Sequence, residues 1–273
     1  MNRILASVGI LTFNSASTLR RALESVYEFD DIVICDGGST DDTLDIAREF
    51  GARIIAQDSQ FKNPDGSLKN FGGVRNQCLD AAKYDWFLYI DSDETASAGL
   101  VEEIRNVVAS NDSALVYRVP IGIMMDGRYI KYSSNYPGYQ HRFFSKRSGA
   151  HFIKPVHERI EFDQKLVQIG TLEHPWYVHS TKEDWNNYLS NSSEYRTDAI
   201  LRAAQEPFSI YLRYTAWWHL RASLAVVIKS LRNYLFHGFK DSIPLRGEFG
   251  RALVPLVLIW RVTACRLKLF FKR

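Results

Sequence analysis

The amino-acid sequence predicts an α/β fold with a mostly parallel, Rossmann-like central sheet, helices on both faces, and amphipathic helices at the C-terminal end. Apolar, β-branched runs alternate with helical patterns through the first 119 residues, as in parallel strands joined by right-handed crossovers. The 273 residues are 46% hydrophobic and 24% charged, which excludes disordered, collagenous and fully membrane-embedded proteins. The charge is uneven: residues 211–273 carry 12 basic and 2 acidic side chains, whereas residues 1–210 carry 22 and 29.

The first predicted element is a buried strand over residues 4–12. A signal peptide is not expected here, because only one basic residue precedes the apolar run and no small-residue cleavage site precedes Asn14. Further strands are predicted at 31–36, 53–57, 86–91 and 114–119, and helices at 17–28, 41–50, 71–83 and 97–109. Short strands around 151–161 and 166–179 and a helical pattern over 182–205 follow.

The cysteines bear on the cellular compartment. The chain has three, at positions 35, 78 and 265, too few and too scattered for a disulfide framework or a zinc cluster. A reducing compartment is therefore expected.

Polar segments follow three of the predicted strands at their carboxyl ends. They comprise residues 12–14, 36–42 and 91–94. Ligands of open, parallel α/β sheets bind at this edge. The sequence therefore predicts a ligand site in which these three segments meet.

Asp91 and Asp93 stand two positions apart where an apolar strand ends. Two such carboxylates repel each other unless a cation joins them, and Mg²⁺ or Mn²⁺ prefers hard oxygen ligands and completes its shell with water and substrate phosphates. A solvated turn or a helix start is the alternative, because acidic residues also favour the first turn of a helix.

Asp36 and Arg75 belong to two further segments with ligand-binding features. Residues 36–43 combine two glycines, which let backbone approach a ligand, with hydroxyls that can cap a helix; a plain capped turn is the alternative. Arg75 lies near a predicted helix start, where its guanidinium and the amide dipoles can meet a diphosphate. The alternative for Arg75 is a surface ion pair with Asp80 or Asp85.

These segments together resemble the family 2 glycosyltransferases of the A-type nucleotide-diphospho-sugar transferase fold. The matching residues are Leu11-Thr12-Phe13-Asn14, Val33 to Asp41, Gly73-Val74-Arg75-Asn76 and Asp91-Ser92-Asp93. Residues 137–144 and 156–158 resemble the bacterial transferases of this family that build lipopolysaccharide cores and other surface glycans.

The resemblance implies substrate and metal contacts for the matching residues. The implied substrate-binding residues are Thr12, Asn14, Asp36, Arg75, Asp91 and Arg142. Thr12 and Asp36 are implied to meet the base and ribose of the nucleotide, and Arg75 the base or diphosphate. Asp91 then faces the ribose or a Mg²⁺ or Mn²⁺ ion, and Asp93 binds that ion and supports catalysis.

Glu158 is the expected base that accepts a proton from the acceptor hydroxyl. The family's usual Glu-Asp pair is absent, and His157 and Glu158 stand in its place. Sugar transfer needs a carboxylate within hydrogen-bond reach of the acceptor and a cation near the leaving diphosphate. A salt bridge from Glu158 to Arg159 or Arg142 is the alternative.

His179 is implied as a further metal ligand, because a histidine after the last core strand often completes the metal site in this fold. His174 and His157 are competitors for that role. A buried structural histidine bonded to backbone is the alternative for His179.

The basic, aromatic tail of residues 208–273 is predicted to lie in a membrane interface. From residue 251 onward it has no acidic side chain, and its basic positions fall on one helical face. Trp260, Phe270 and Phe271 are the expected anchors, and Pro255 is expected to start or kink a helix. The longest uninterrupted apolar run, residues 252–260, is far below the roughly 20 residues of a spanning helix. A helix packed on the catalytic domain, with a solvated basic face, is the alternative.

The resemblance and the tail together predict a metal-dependent, inverting glycosyltransferase. It is expected to use a UDP-sugar and a lipid-linked or lipopolysaccharide-type acceptor, and to be cytoplasmic and peripherally bound to the anionic inner membrane. Residues 1–119 are expected to bind the nucleotide-sugar, residues 120–207 the acceptor, and residues 208–273 the membrane. The alternatives are an inactive membrane-bound scaffold and a sugar-phosphate nucleotidyltransferase, and nucleic acid is not an expected partner.

Overall fold

The computed structural model describes residues 2–110, 113–134, 138–155, 158–193 and 197–271, with the side chains of these ranges except 191–193, 197–199 and 202. The chain divides into two units, one of residues 1–122 and 137–179 and the other of residues 123–136 and 180–273. Pro137, Val156 and His157, which belong to the predicted motifs, lie outside the described residues.

The two units contain the following helices and strands. The strands are β1 Ile4–Thr12, β2 Phe29–Asp36, β3 Arg53–Ala56, β4 Trp86–Asp91, β5 Glu94–Ala96, β6 Val116–Met125, β7 Arg128–Ile130, β8 Tyr139–Ser145, β9 His151–Ile153, β10 Arg159–Glu161, β11 Ile169–Thr171 and β12 Trp176–Ser180. The helices of the first unit are α1 Ala16–Ser25, α2 Thr43–Glu49, α3 Phe71–Ala81 and α4 Ala98–Ala109. Those of the second are α5 Lys182–Asn186, α6 Tyr188–Ser193, α7 Thr197–Gln205, α8 Phe208–Ile210, a π-helical segment Tyr211–Trp217, α9 Trp218–His237 and α10 Leu245–Phe271.

The main sheet of the first unit has the strand order β3-β2-β1-β4-β8-β6-β12-β5. Its first four strands are parallel, which confirms the predicted α/β fold and its Rossmann-like sheet. Beyond β4 the pairs β4–β8, β8–β6 and β12–β5 are antiparallel. These pairs join distant parts of the chain, such as Leu88 and Phe143, and local alternation of strands and helices therefore does not predict them.

The parallel strands are buried on both faces, which explains why they are continuously apolar rather than alternating. Val8 and Ile10 face a cluster that includes residues of α1 and α4, whereas Val33 faces a second cluster that includes residues of α3. Position 9 of β1 requires a glycine, because a Cβ there would lie only 2.4 Å from the ring of Phe87. Each fully buried Val, Ile, Leu or Phe side chain stabilises the folded state by about 1.5–3 kcal/mol.

Several predicted boundaries differ from the structure. Glu94–Ala96 forms the short strand β5 against β12, which was not predicted, while α4 begins at Ala98, one residue after its predicted start, where the Ser97 hydroxyl accepts the backbone N–H of Leu100. Within the predicted helical stretch 182–205, the described residues form α5, α6 and α7.

The second unit is mainly helical. The end of β6, residues 123–125, pairs with β7. Helix α10 continues through Pro255. The expectation that this proline begins a helix is therefore wrong. Among the described residues, no helix combines the length and the apolar character needed to cross a membrane.

Candidate active site

The carboxyl ends of β1, β2 and β4 meet at one edge of the sheet, as the strand order predicts. Thr12 pairs with Asp36 across β1 and β2, and Leu11 pairs with Asp91 across β1 and β4. The three polar segments singled out in the sequence therefore share one edge.

Asp36 organises the loop that follows β2. Its carboxylate accepts hydrogen bonds from the hydroxyls of Thr12 (2.8 Å) and Ser39 (2.6 Å) and from the amides of Gly38 and Ser39 (both 2.8 Å). Gly38 has φ +99°, which favours glycine and aims its amide at Asp36. Burial alone would raise the pKa of Asp36, but these donors outweigh it and the pKa lies below its ordinary value. Four donors occupy the acceptor sites of this carboxylate.

Asn14 holds the same loop from the β1 side. Its backbone has φ 48°, a left-handed conformation that asparagine tolerates. The side-chain oxygen of Asn14 accepts the backbone N–H of Thr40 at 2.8 Å. The backbone N–H of Asn14 donates to the hydroxyl of Ser39 at 2.8 Å. Asn14 and Asp36, both implied substrate ligands, therefore shape the loop, and their contact with substrate stays a prediction.

A cavity of about 590 Å³ opens beside this loop. It is lined by Leu11, Thr12, Phe13, Gly37, Gln57, Lys62, Asp65, Gly66, Ser67, Leu68 and Phe71. Gln57 donates its side-chain amide to the carbonyl of Cys35 at 3.0 Å, and Lys62 donates to the carbonyl of Gly37 at 2.6 Å. Sequence reasoning missed both residues, although Gln57 follows β3 and so lies at the same strand edge. Lys62 lies in a loop whose sequence gives no such signal.

Arg75 lies buried between two carboxylates, with only 4% of its side chain exposed. Its Nε donates to Oε1 of Glu158 at 2.8 Å, and its Nη2 forms an ion pair with Asp91. Burial would lower the pKa of Arg75, but Asp91 and Glu158 raise it well above its ordinary value, so the guanidinium stays charged. Its Nη1 is buried without a hydrogen-bond partner among the described residues. Arg75 therefore pairs with Asp91 and Glu158 rather than with the alternative partners Asp80 or Asp85, and its contact with a diphosphate stays a prediction.

Asp91 and Asp93 differ in their electrostatic surroundings. The surrounding protein raises the pKa of Asp91, but the charges of Arg75 and then Arg142 outweigh this and lower it. Desolvation and then the charge of Asp91 raise the pKa of Asp93. No described side chain forms an ion pair or a hydrogen bond with the carboxylate of Asp93, and 42% of the Asp91 side chain is exposed. Two adjacent carboxylates, one of them unpaired and repelled by the other, suit a divalent cation.

His179 does not form a cluster of three metal ligands with Asp91 and Asp93 in the structure. Within the described ranges, no group of three or more His, Cys, Asp or Glu side chains is arranged to hold a metal ion. His179 Nε2 lies 2.9 Å from the hydroxyl of Thr95, and burial followed by the charge of Arg21 lowers its pKa. His174 lies 3.4 Å from a carboxylate oxygen of Glu103. Mg²⁺ binds through one or two carboxylates with water and substrate phosphates, so the aspartates fit without a histidine.

Arg142 is buried and directed at Glu94 rather than at the open edge. Its Nη1 and Nη2 donate to the two carboxylate oxygens of Glu94 at 2.6 and 3.0 Å. Its guanidinium carbon lies 4.6 Å from the ring centre of Tyr89 and 4.3 Å from that of Trp176. The predicted substrate contact of Arg142 is untested, and the geometry favours a supporting role.

A family model and curated relatives agree with the sequence motifs. The family model described as Glycosyl transferase family 2 matches residues 7–162. An uncharacterized glycosyltransferase of Rickettsia typhi is 27% identical over 254 residues, which cover 87% of this chain and 81% of that protein. One of Rickettsia conorii is 33% identical over 130 residues, 45% of this chain and 43% of that protein. The crystal structure of TarS from S. aureus in complex with UDP is similar with a TM-score of 0.46 and 15% identity, covering 100% of this chain and 92% of that one.

Proposed function

The chain belongs to glycosyl transferase family 2 and is a glycosyltransferase, and from this premise we propose that it moves a sugar from a UDP-sugar to a lipid-linked or lipopolysaccharide-type glycan. The observation that carries the proposal is the cluster in which Arg75 joins Asp91 to Glu158 beside the unpaired Asp93. This cluster combines a place for a diphosphate with a carboxylate that can serve as a base.

The nucleoside of the donor is proposed to occupy the 590 Å³ cavity, whose size is within the roughly 300–1,000 Å³ of small-molecule sites. Phe13 and Phe71 supply apolar surface for a base. Gln57 donates through its amide nitrogen to the backbone, which leaves its side-chain oxygen as an acceptor for a ring N–H such as that of uracil. Thr12 lies where the cavity meets the Asp36 loop.

The diphosphate is proposed to lie at Asp91 and Asp93 together with Mg²⁺ or Mn²⁺. The ion, when bound, would stabilise the negative charge that gathers on the leaving diphosphate. Asp93 would supply the unpaired carboxylate and Asp91 its exposed face, while Arg75 keeps Asp91 ionised. His179 stays a candidate for a further ligand.

Glu158 is proposed as the base. Arg75 holds its Oε1, and no described residue donates to its Oε2, which is left for the acceptor hydroxyl. As the hydroxyl oxygen bonds to the anomeric carbon, its proton passes to Glu158, and the bond to the diphosphate breaks with its electrons on the leaving nucleotide. Attack from the face opposite the leaving group gives inversion, the outcome that the family resemblance implies.

The tail is proposed to bind the cytoplasmic face of the inner membrane. Of the 31 exposed large hydrophobic side chains among the described residues, 22 lie between Phe208 and Phe271. The proposed anchors Trp260 and Phe270 are 69% and 74% exposed. Between residues 208 and 271 the sequence has ten basic and two acidic side chains, which favours an anionic lipid surface.

The nucleotide is best identified by thermal shift of the full chain with UDP, GDP or CDP, each with and without Mn²⁺. A ligand at a hundredfold excess over its dissociation constant stabilises the native state by about 2.7 kcal/mol. A metal-dependent shift with UDP supports the proposal, a shift with another nucleotide changes the donor, and no shift with any of them favours the inactive scaffold.

A further inference from the structure

Glu94 closes the turn that carries the two aspartates. It follows Asp93 directly and is buried. Its Oε2 accepts the backbone N–H of Asp91 at 2.9 Å, so a side chain at the end of the turn holds the backbone at its start. Asp91 is thereby held at two points, through its backbone by Glu94 and through its carboxylate by Arg75.

Arg142 in turn fixes Glu94. The ion pair is bidentate, and each partner has only 6% of its side chain exposed. The other guanidinium contacts also go to the protein: Nε donates to Gln140 at 3.1 Å and Nη1 to the carbonyl of Tyr89 at 3.3 Å. Every nitrogen of the guanidinium therefore has a partner within the first unit, which leaves Arg142 poorly suited to bind substrate directly.

A buried ion pair such as Glu94–Arg142 is expected to add little to the free energy of unfolding, so its main effect is to fix the position of the Glu94 carboxylate. Taking both charges out of water costs about as much as their attraction returns, and apolar residues of similar size often replace a buried pair without loss. What an apolar pair cannot replace is the acceptor for the Asp91 amide. An unmet amide there would let the turn move, and a site misplaced by about 1 Å can lose much of its catalytic power.

We propose that Glu94, held by Arg142, is a positioning residue that fixes the Asp91 backbone in the conformation that binds the donor diphosphate. This rests on the proposed donor site but concerns residues to which neither the motif nor the comparisons give such a role. Glu94 touches neither substrate nor metal in this account, and acts through Asp91.

Two double variants separate positioning from stability. Glu94→Leu with Arg142→Met removes the pair and the acceptor, whereas Glu94→Gln with Arg142→Met removes the charges but keeps an amide oxygen for the Asp91 N–H. Calorimetric titration with UDP in the presence of Mn²⁺ should show at least tenfold weaker binding for the Leu/Met variant and binding within about threefold of wild type for the Gln/Met variant. Equal affinity for the two folded variants would overturn the proposal.

The matched control replaces an ion pair elsewhere in the same unit, Glu28→Leu with Arg105→Met. It should leave UDP affinity unchanged. If it weakens binding as much as the Leu/Met variant does, loss of any ion pair explains the effect and the positioning role is wrong.

A measurement on the wild-type chain needs neither variants nor nucleotide. Amide hydrogen exchange followed by NMR should show the Asp91 N–H at least tenfold more protected than the amides of Ser92 and Asp93. Comparable exchange at the three amides would contradict the proposal even if the Leu/Met variant fails to fold. Protection at Asp91 together with no UDP binding would instead contradict the proposed donor site alone.

Discussion

At the strand edge of the first unit, the guanidinium of Arg75 is buried and paired with two carboxylates, whereas along α9 and α10 of the second unit apolar side chains are exposed. The first arrangement suits a small, highly charged ligand, because Arg75, Asp91 and Glu158 hold each other in fixed positions. The second arrangement suits a broad, anionic lipid surface, because exposed Trp and Phe side chains lie among Arg and Lys residues. The two regions differ in what is left without a partner among the described residues: at the strand edge it is the carboxylate of Asp93, and along α9 and α10 it is exposed apolar side chains.

The largest expected effect comes from Asp93→Ala. It removes the unpaired carboxylate at the proposed diphosphate site, and the rate of sugar transfer or of donor hydrolysis should fall by about a thousandfold, since a metal supplies several kcal/mol and each 1.4 kcal/mol is about tenfold. The exposed Asp45→Ala in α2 is the control and should keep the wild-type rate. A wild-type rate for Asp93→Ala would contradict the proposal that the unpaired carboxylate of Asp93 marks the donor site.

Glu158→Gln should lower the rate by about a hundredfold to ten-thousandfold, the range for a general base. Because the glutamine oxygen can still accept from Arg75, nucleotide binding measured by thermal shift should change little. The exposed Glu161→Gln, three residues on, controls for the loss of a charge. If Glu158→Gln loses both nucleotide binding and the rate of sugar transfer, the role of Glu158 is to hold Arg75 in place and not to accept a proton.

Asp36 and Asp93 should affect stability with opposite signs. Asp36→Asn should destabilise the fold at pH 7 by about 1.5–3 kcal/mol, the contribution of hydrogen bonds to a charged group. Because the folded pKa of Asp36 is lowered, its stabilisation is present above the ordinary value of 3.8 and is lost as pH falls through the folded pKa.

Asp93 has a raised folded pKa, so without metal its contribution to stability falls as pH rises from 3.8 through that raised value. Asp93→Asn should therefore raise the unfolding free energy at pH 7 in the presence of a chelator. Urea unfolding at pH 4 and pH 7 measures both variants. A stabilising effect of Asp36→Asn, or a destabilising one of Asp93→Asn, would reverse the electrostatic account of this edge.

The smallest effect is expected in the tail. Phe270→Ser should weaken binding to vesicles containing phosphatidylglycerol by about 1 kcal/mol or somewhat more, because a partly inserted aromatic side chain loses part of the roughly 1.5–3 kcal/mol of full burial. Leu166→Ser, at a position 83% exposed in the first unit, is the control. Flotation assays that show equal losses for the two variants would contradict the proposal that the tail is the part of the chain that binds a membrane.

Much of the first unit could be predicted from sequence, because its information is local. The apolar run 86–91 and the acids that end it predict both β4 and its place at the ligand edge. Arg142 shows where this reasoning ends: the sequence places it near other motifs, but only the antiparallel pairing of β8 with β4 puts it beside Glu94. In the same way Lys62 contributes through an irregular loop, and Asp36 turns inward because Gly38 and Ser39 fold back on it.

The measurement that tests the central claim most directly is calorimetric titration of the wild-type chain with UDP, with and without Mn²⁺. A donor site at the strand edge predicts one UDP per chain, binding at least tenfold tighter with Mn²⁺ than in a chelator, and loss of that metal dependence in Asp93→Ala. UDP binding that is unaffected by Mn²⁺ and by the Asp93 substitution would contradict the assignment of Asp91 and Asp93 to a metal-bound diphosphate.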